Sequence, residues 1–235
     1  MKKIIASLWF IIFTGFAWAS PLYAQNSIII AAQEAMQSMV GLRAIRTSND
    51  PAHPLTALNI KKEKIPTLEQ YGAGVIISAD GYIITNFHIV YLADTIKIKL
   101  PNGSVVSGTI KHLLPNEDLA LIKIKPTKPL KPISFANSDT IQLGEDIINI
   151  GHSDYLKRTI SGGKIISLGK SAIDASAIEL IRVNIDLHKG DSGGPLLNNE
   201  GKLIGMVAAE FTDSPQSTLA IPSNKIKKLY QDFIK

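Results

Sequence analysis

Short apolar runs recur along this chain, and most of them alternate with polar positions. GLRAIRT, VIIS, YIIT, TIKIKL, SVVSGTI, ALIKI, DIINI, GKIISL, LIRVNID, PLLN and KLIGMVAA are brief and rich in Ile, Val and Leu. Side chains on a strand alternate between its two faces, so a period of two predicts β-strands rather than helices. In LIRVNID this sets Ile181, Val183 and Ile185 on one face and Arg182, Asn184 and Asp186 on the other. Three pairs of runs are hinged on Ala79-Asp80-Gly81, Pro101-Asn102-Gly103 and Asn199-Glu200-Gly201. The glycine in each supplies the positive φ that a tight hairpin needs. Many short strands with no helical pattern between them predict an all-β sandwich or barrel.

Two segments break the pattern towards helix. SIIIAAQEAMQSMV, from Ser27 to Val40, lacks Gly and Pro and predicts a short helix feeding a first strand. Near the end, Ser223 is placed to N-cap NKIKKLYQDFIK, in which Ile226, Leu229 and Phe233 share one helical face. Residues 47–70 are rich in proline and polar residues and predict a long loop. KPTKPLKPISFANSD, at 125–139, reads as a connector between two halves of the chain.

The first residues carry different information. Lys2 and Lys3 precede the uncharged apolar stretch from Ile4 to Ala19, and no further charge occurs before Glu34. That is the form of an export signal, with cleavage expected after Ala19 or Ala24. The apolar stretch is short against the roughly 20 residues that span a bilayer, which argues against a retained anchor. An exported protein of the bacterial envelope, periplasmic or secreted, is therefore expected, with residues 25–235 as its single mature domain. Its 235 residues, 45% hydrophobic and 19% charged, suit one core-forming domain. The formal charge of +5 falls to +3 without Lys2 and Lys3. The lysines of IKIKL and LIKIK alternate as outward strand positions, so no nucleic-acid footprint is predicted. Cysteine is absent, which excludes a thiol nucleophile, a cysteine-ligated zinc and any disulfide.

The most specific chemistry lies in GDSGGP, Gly190 to Pro195. A serine nucleophile needs a turn that exposes its hydroxyl while aiming backbone N–H groups at the oxygen that becomes negative, and glycines permit both. Ser192 is the candidate nucleophile, with the N–H groups of Gly190 and Ser192 as the oxyanion hole. The same residues fit the GxSxG pattern of α/β-hydrolases, where histidine follows serine in the chain. Here His53, His88, His112, His152 and His188 all precede Ser192, so that class is excluded. His88, where a strand ends in Thr85-Asn86, is the candidate base. Asp118, which abuts the run LALIKI, is the candidate carboxylate to hold the imidazole in its useful tautomer. His112 and His152 read as ordinary surface residues. His188 and Lys189 lie in the loop expected to line a substrate cleft, and Ala208, Ala209 and Glu210 should offer a strand edge to an extended substrate. No paired spacing of metal ligands occurs, and neither metal nor cofactor is expected.

Together the blocks GAGVIISADGYIITNFHIV, DLALIKI, GDSGGPLLNNEGKLIGM and LAIPSN resemble the protease domain of the HtrA/Deg branch of trypsin-like serine proteases. The resemblance implies two six-stranded β-barrels with His88, Asp118 and Ser192 in the cleft between them. It implies a first barrel over about 38–125, a connector over about 126–139, a second barrel over about 140–222 and a helix over about 223–234. It also implies an endopeptidase working through an acyl-enzyme on unfolded or exported proteins, without nucleic acid or membrane insertion. Family members often form trimers through the N-terminal segment, which these residues leave undecided. PDZ domains usually follow the protease; the sequence ends one helix beyond LAIPSN, so none is expected. Asp191 stands where that branch often has Asn, and reads as a turn acid of unassigned partner. Asp186 lies six residues before Ser192, an offset that in trypsin-like enzymes falls at the base of the primary specificity pocket. There it would favour Lys or Arg; alternatively it caps the loop or pairs with Arg182 or Lys189. Two other readings of the same chain are a protease-fold binding or chaperone-like module with little or latent turnover, and an esterase.

Overall fold

A computed structural model describes residues 29–47, 68–153, 157–170, 179–210 and 217–234. The expected export signal with its cleavage site, His53 and most of the loop at 47–70 lie outside the described residues.

Among the described residues, twelve strands form two closed barrels. The first contains β1 (Met39–Arg46), β2 (Leu68–Ile76), β3 (Tyr82–Thr85), β4 (Thr95–Lys99), β5 (Val105–Leu114) and β6 (Leu119–Lys123), in the order β1-β2-β3-β6-β5-β4. The second contains β7 (Asp146–Ser153), β8 (Lys157–Lys170), β9 (Glu179–Val183), β10 (Pro195–Leu197), β11 (Leu203–Glu210) and β12 (Thr218–Pro222), in the order β10-β11-β12-β9-β8-β7. All neighbours that share a ladder run antiparallel. The fold is the one the resemblance implies. A helix at 29–35, α1, precedes β1. Among the described residues, no helix is long and apolar enough to cross a membrane.

The two kinds of apolar run have different fates. β4 alternates, with Ile96 and Ile98 buried and Lys97 and Lys99 half-exposed. β6 and β10 instead read as continuous apolar runs, because both of their faces are covered. Ile83, Ile98 and Ile122 belong to the core of the first barrel, and Ile165, Val183 and Ile204 to that of the second. A third core joins them: Val75, Ile84 and Leu121 from one side pack with Ile150, Met206 and Ile221 from the other. The connector crosses this joint. Ile133 N–H donates to Ile76 O and Ala136 N–H donates to Leu203 O, each at 2.9 Å.

Three details differ from the sequence expectations. The C-terminal helix α3 (we number the turn Phe87–Val90 as α2) spans Ser223–Phe233, so Ser223 is its first residue and Pro222 its N-cap. The Ser223 hydroxyl donates to Ala136 O at 3.0 Å, while Asn224 N–H is received by Ser138 Oγ at 3.1 Å. The connector therefore supplies the cap. β7 runs on past DIINI to Ser153, which carries His152 into the interior with 4% of its surface exposed. His112 is not a free surface residue either: its ring stacks on Phe233 of α3, with centroids 3.9 Å apart.

Candidate active site

β3 ends at Thr85, Asn86 is extended, and the chain turns into α2, whose second residue is His88. β3 and β6 are neighbours, with Thr85 opposite Ala120, so the segment before β6 lies beside α2. Asp118 closes the turn Pro115–Glu117 in the left-handed conformation, at φ 50°. That geometry costs an aspartate less than most residues. It lets one residue receive the whole start of α2. The Asp118 carbonyl accepts from Phe87 N–H and from Asn86 Nδ2, both at 3.1 Å. Its carboxylate accepts from His88 N–H at 3.0 Å and lies 2.8 and 3.0 Å from His88 Nδ1. A carboxylate only accepts, so Nδ1 carries the proton towards it and a neutral ring keeps a lone pair on Nε2. His88 and Asp118 side chains are 40% and 31% exposed, leaving the imidazole open to a ligand.

Ser192 is held by backbone. Asp191 N–H donates to His188 O at 3.0 Å, with Gly190 at φ 100° and Lys189 not in the positive region. Gly194 N–H donates to Asp191 O at 2.9 Å, with Gly193 at φ 80°. Positive φ at the third position alone defines a type II turn, so two such turns meet at Asp191 and each requires its glycine. Gly193 is also confined by space: a Cβ there would sit 2.1 Å from Ala73 O. Ala73 N–H donates to Ser192 O at 2.8 Å, which ties the serine turn of the second barrel to β2 of the first. A methyl on Gly72 would meet Ile89 of α2 at 2.3 Å and Ser192 O at 3.1 Å. Gly72 is thus the point at which the helix carrying His88 and the turn carrying Ser192 come together. Among the described residues, neither Gly190 N–H nor Ser192 N–H donates a hydrogen bond.

The remaining sequence candidates scatter around this centre. Asp186 and Lys189 are exposed, and the His188 side chain is 63% exposed. Ile181, Val183 and Ile185 are buried as the alternation predicts, although β9 ends at Val183. Arg182 Nε donates to Ser217 Oγ. Ala208 is buried at a bulge of β11, while Ala209 and Glu210 pair with Leu219 and Thr218 of β12. On the opposite edge, among the described residues, β11 is held only as far as Val207, whose N–H and O bond Gly194 and Gly193.

The sequence reading missed what surrounds Asp191. Its side chain is fully buried and accepts from Thr159 Oγ1 at 2.9 Å and from His188 N–H at 2.8 Å. Behind it, His152 N–H donates to Gly190 O at 3.2 Å, and the His152 ring packs on Gly41 of β1. Burial lowers the pKa of His152 to about 4, with smaller contributions from Lys99 and Arg158. No local motif links Thr159 or His152 to the serine turn.

Two barrels, a histidine clasped by aspartate from the first and a serine in paired glycine turns from the second match a known class. The profile of the trypsin-like peptidase domain matches residues 72–206, and the chain belongs to that family. Within it, its relatives are proteases of the HtrA/Deg branch. Periplasmic serine endoprotease DegP of Escherichia coli (strain K12) is 36% identical over 168 residues, covering 69% of this chain and 35% of DegP. Serine protease HTR4 of Rattus norvegicus is 30% identical over 212 residues, covering 88% of this chain and 41% of that protein. Among solved structures, the HtrA-type protease AlgW with a tripeptide superposes with a TM-score of 0.75 at 25% identity, covering 88% of this chain and 64% of that one. The chain thus spans well under half the length of these two curated relatives.

Proposed function

We propose that this protein is a serine endopeptidase that hydrolyses peptide bonds through an acyl-enzyme. The observation that carries the proposal is the contact of His88 Nδ1 with the Asp118 carboxylate, on a helix that meets the Ser192 turn at Gly72. Ser192 Oγ attacks the scissile carbonyl carbon and its proton passes to His88 Nε2. Asp118 holds the ring and stabilises the imidazolium. The carbonyl oxygen, now negative, is received by Gly190 N–H and Ser192 N–H, each worth roughly 2.7–4 kcal/mol in such sites. Collapse breaks the C–N bond, and the amine leaves with the proton held by His88. Water, activated by the same imidazole, then cleaves the ester. The free edge of β11 beyond Val207 accepts the substrate as an added strand.

The substrates proposed are unfolded or exported proteins, in the bacterial periplasm or outside the cell, by likeness to DegP, which is named a periplasmic endoprotease. Asp186 is exposed, and a solvated carboxylate discriminates weakly. At most a mild preference for Lys or Arg before the scissile bond is expected, read by a peptide library with Asp186→Ala as control. The main test compares wild type with Ser192→Ala on denatured casein and on a small ester. Loss of cleavage by about a million-fold is expected. Wild-type cleavage in Ser192→Ala would refute the proposal. An esterase cleaves only the ester, and a binding module cleaves neither.

A further inference from the structure

The nucleophile loop contains a second carboxylate that the mechanism above does not use. Asp191 sits in the interior of the second barrel, next to Gly151 of β7 and Thr159 of β8. A methyl on Gly151 would lie 1.6 Å from Asp191 Oδ1 and 2.6 Å from Thr159 Oγ1, so the strand carries glycine where the acid enters. Oδ1 accepts from the Thr159 hydroxyl at 2.9 Å, and Oδ2 accepts from His188 N–H at 2.8 Å. The His188 ring stands 3.7 Å away with its side chain 63% exposed, too far for a hydrogen bond. His188 and Asp191 are the first and last residues of the type II turn whose central peptide carries Gly190 N–H. One side chain therefore closes the turn on itself and anchors it to β8. His152 N–H, bonded to Gly190 O at 3.2 Å, holds the next peptide plane.

We infer that Asp191 and Thr159 are positioning residues that aim Gly190 N–H at the developing oxyanion, by a hydrogen-bonded clamp internal to the second barrel. A type II turn and its alternative, type I, differ in the direction of the central peptide. No hydrogen bond of that peptide itself selects between them, since Gly190 N–H donates to no described residue, so the choice falls to what holds the two ends of the turn. The clamp works through hydrogen bonds rather than net charge. An asparagine at 191 can accept from His188 N–H with its oxygen and donate to the Thr159 hydroxyl with its amide.

This inference rests on Ser192 being the nucleophile, and its test separates the two ideas. Steady-state kcat and KM are measured per active site labelled to completion by a fluorophosphonate. Inhibition by a peptide aldehyde, whose hemiacetal oxygen occupies the oxyanion position, is measured alongside. Asp191→Ala is expected to lower kcat on the order of 100-fold, as small misplacements of reacting groups do, with KM within about threefold. Thr159→Val is expected to lower kcat about tenfold, and aldehyde affinity should fall in parallel with kcat. Thr159→Ser and Asp191→Asn should recover most of each loss, which a mere packing role does not predict. Should Asp191→Ala fail to fold, the Val and Ser pair at Thr159 decides alone. A kcat within twofold of wild type in Thr159→Val, or no recovery in Thr159→Ser, overturns the inference while an inactive Ser192→Ala leaves the nucleophile assignment standing. Full activity in Ser192→Ala overturns both.

Discussion

The two halves of the site are built from different materials. The first barrel contributes side-chain chemistry: His88 and Asp118 face each other, both part-exposed, on a one-turn helix and a left-handed corner. The second contributes backbone geometry, with Ser192 in turns whose glycines are packed against Ala73, Thr85 and the Asp191 carbonyl. The first half should therefore be sensitive to what atoms are present and tolerant of small shifts. The second should be sensitive to space. Substitutions that alter chemistry without volume, or volume without chemistry, can break this comparison.

Of the substitutions that keep the proposed nucleophile, the largest effect on kcat is expected in the first half. Asp118→Asn preserves size and still accepts from His88 N–H, but its amide turns the ring towards the wrong tautomer. A loss of about ten-thousand-fold in kcat is expected, with little change in the denaturation midpoint. A loss below tenfold would mean that Asp118 does not orient the base. In the second half, Gly193→Ala adds one methyl 2.1 Å from Ala73 O, at φ 80°. A destabilisation of roughly 2–4 kcal/mol in urea denaturation is expected, with loss of activity. Gly103→Ala is the control: its φ is 85°, but nothing lies within 4 Å of the added methyl. It should cost only the conformational term, about 1–2 kcal/mol. Equal costs at the two positions would remove the claim that space constrains the serine turn.

His152 sharpens the same contrast through pH. Its pKa is about 4 in the folded protein against 6.5 for an ordinary imidazole, so the unfolded chain binds the extra proton first. Stability is unaffected above pH 6.5 and is lost as pH falls from 6.5 towards 4, by on the order of 3 kcal/mol. His152→Leu should show that much less pH dependence of unfolding over this window. A wild type and variant with parallel profiles would show that the ring is not buried. The smallest effect is expected at His112, whose ring stacks on Phe233 of α3. His112→Ala should cost about 1 kcal/mol or less in stability and leave kcat unchanged.

Much of this architecture is legible in short windows of sequence. Ile96 and Ile98 alternate with lysine because one face of β4 meets the core, and the glycines of Asp80-Gly81 and Asn102-Gly103 mark hairpins because a positive φ is a local demand. GDSGGP marks the candidate serine for the same reason: two adjoining turns, each with its own glycine. The order of His88, Asp118 and Ser192 narrows the class. Other features depend on contacts between distant residues. Thr159 lies 32 positions from Asp191, and Ser138 lies 86 from the helix N–H it receives. His152 reads as an ordinary surface residue until β7 is seen to continue and press it against Gly41. Periodicity and turn chemistry report what a residue needs from its neighbours in the chain, so they determined the strands, the turns and the place of the proposed nucleophile. Partners brought together by the closing of two barrels leave no such local signal, so only the tertiary structure decided what holds Asp191, what caps α3 and which histidine is buried.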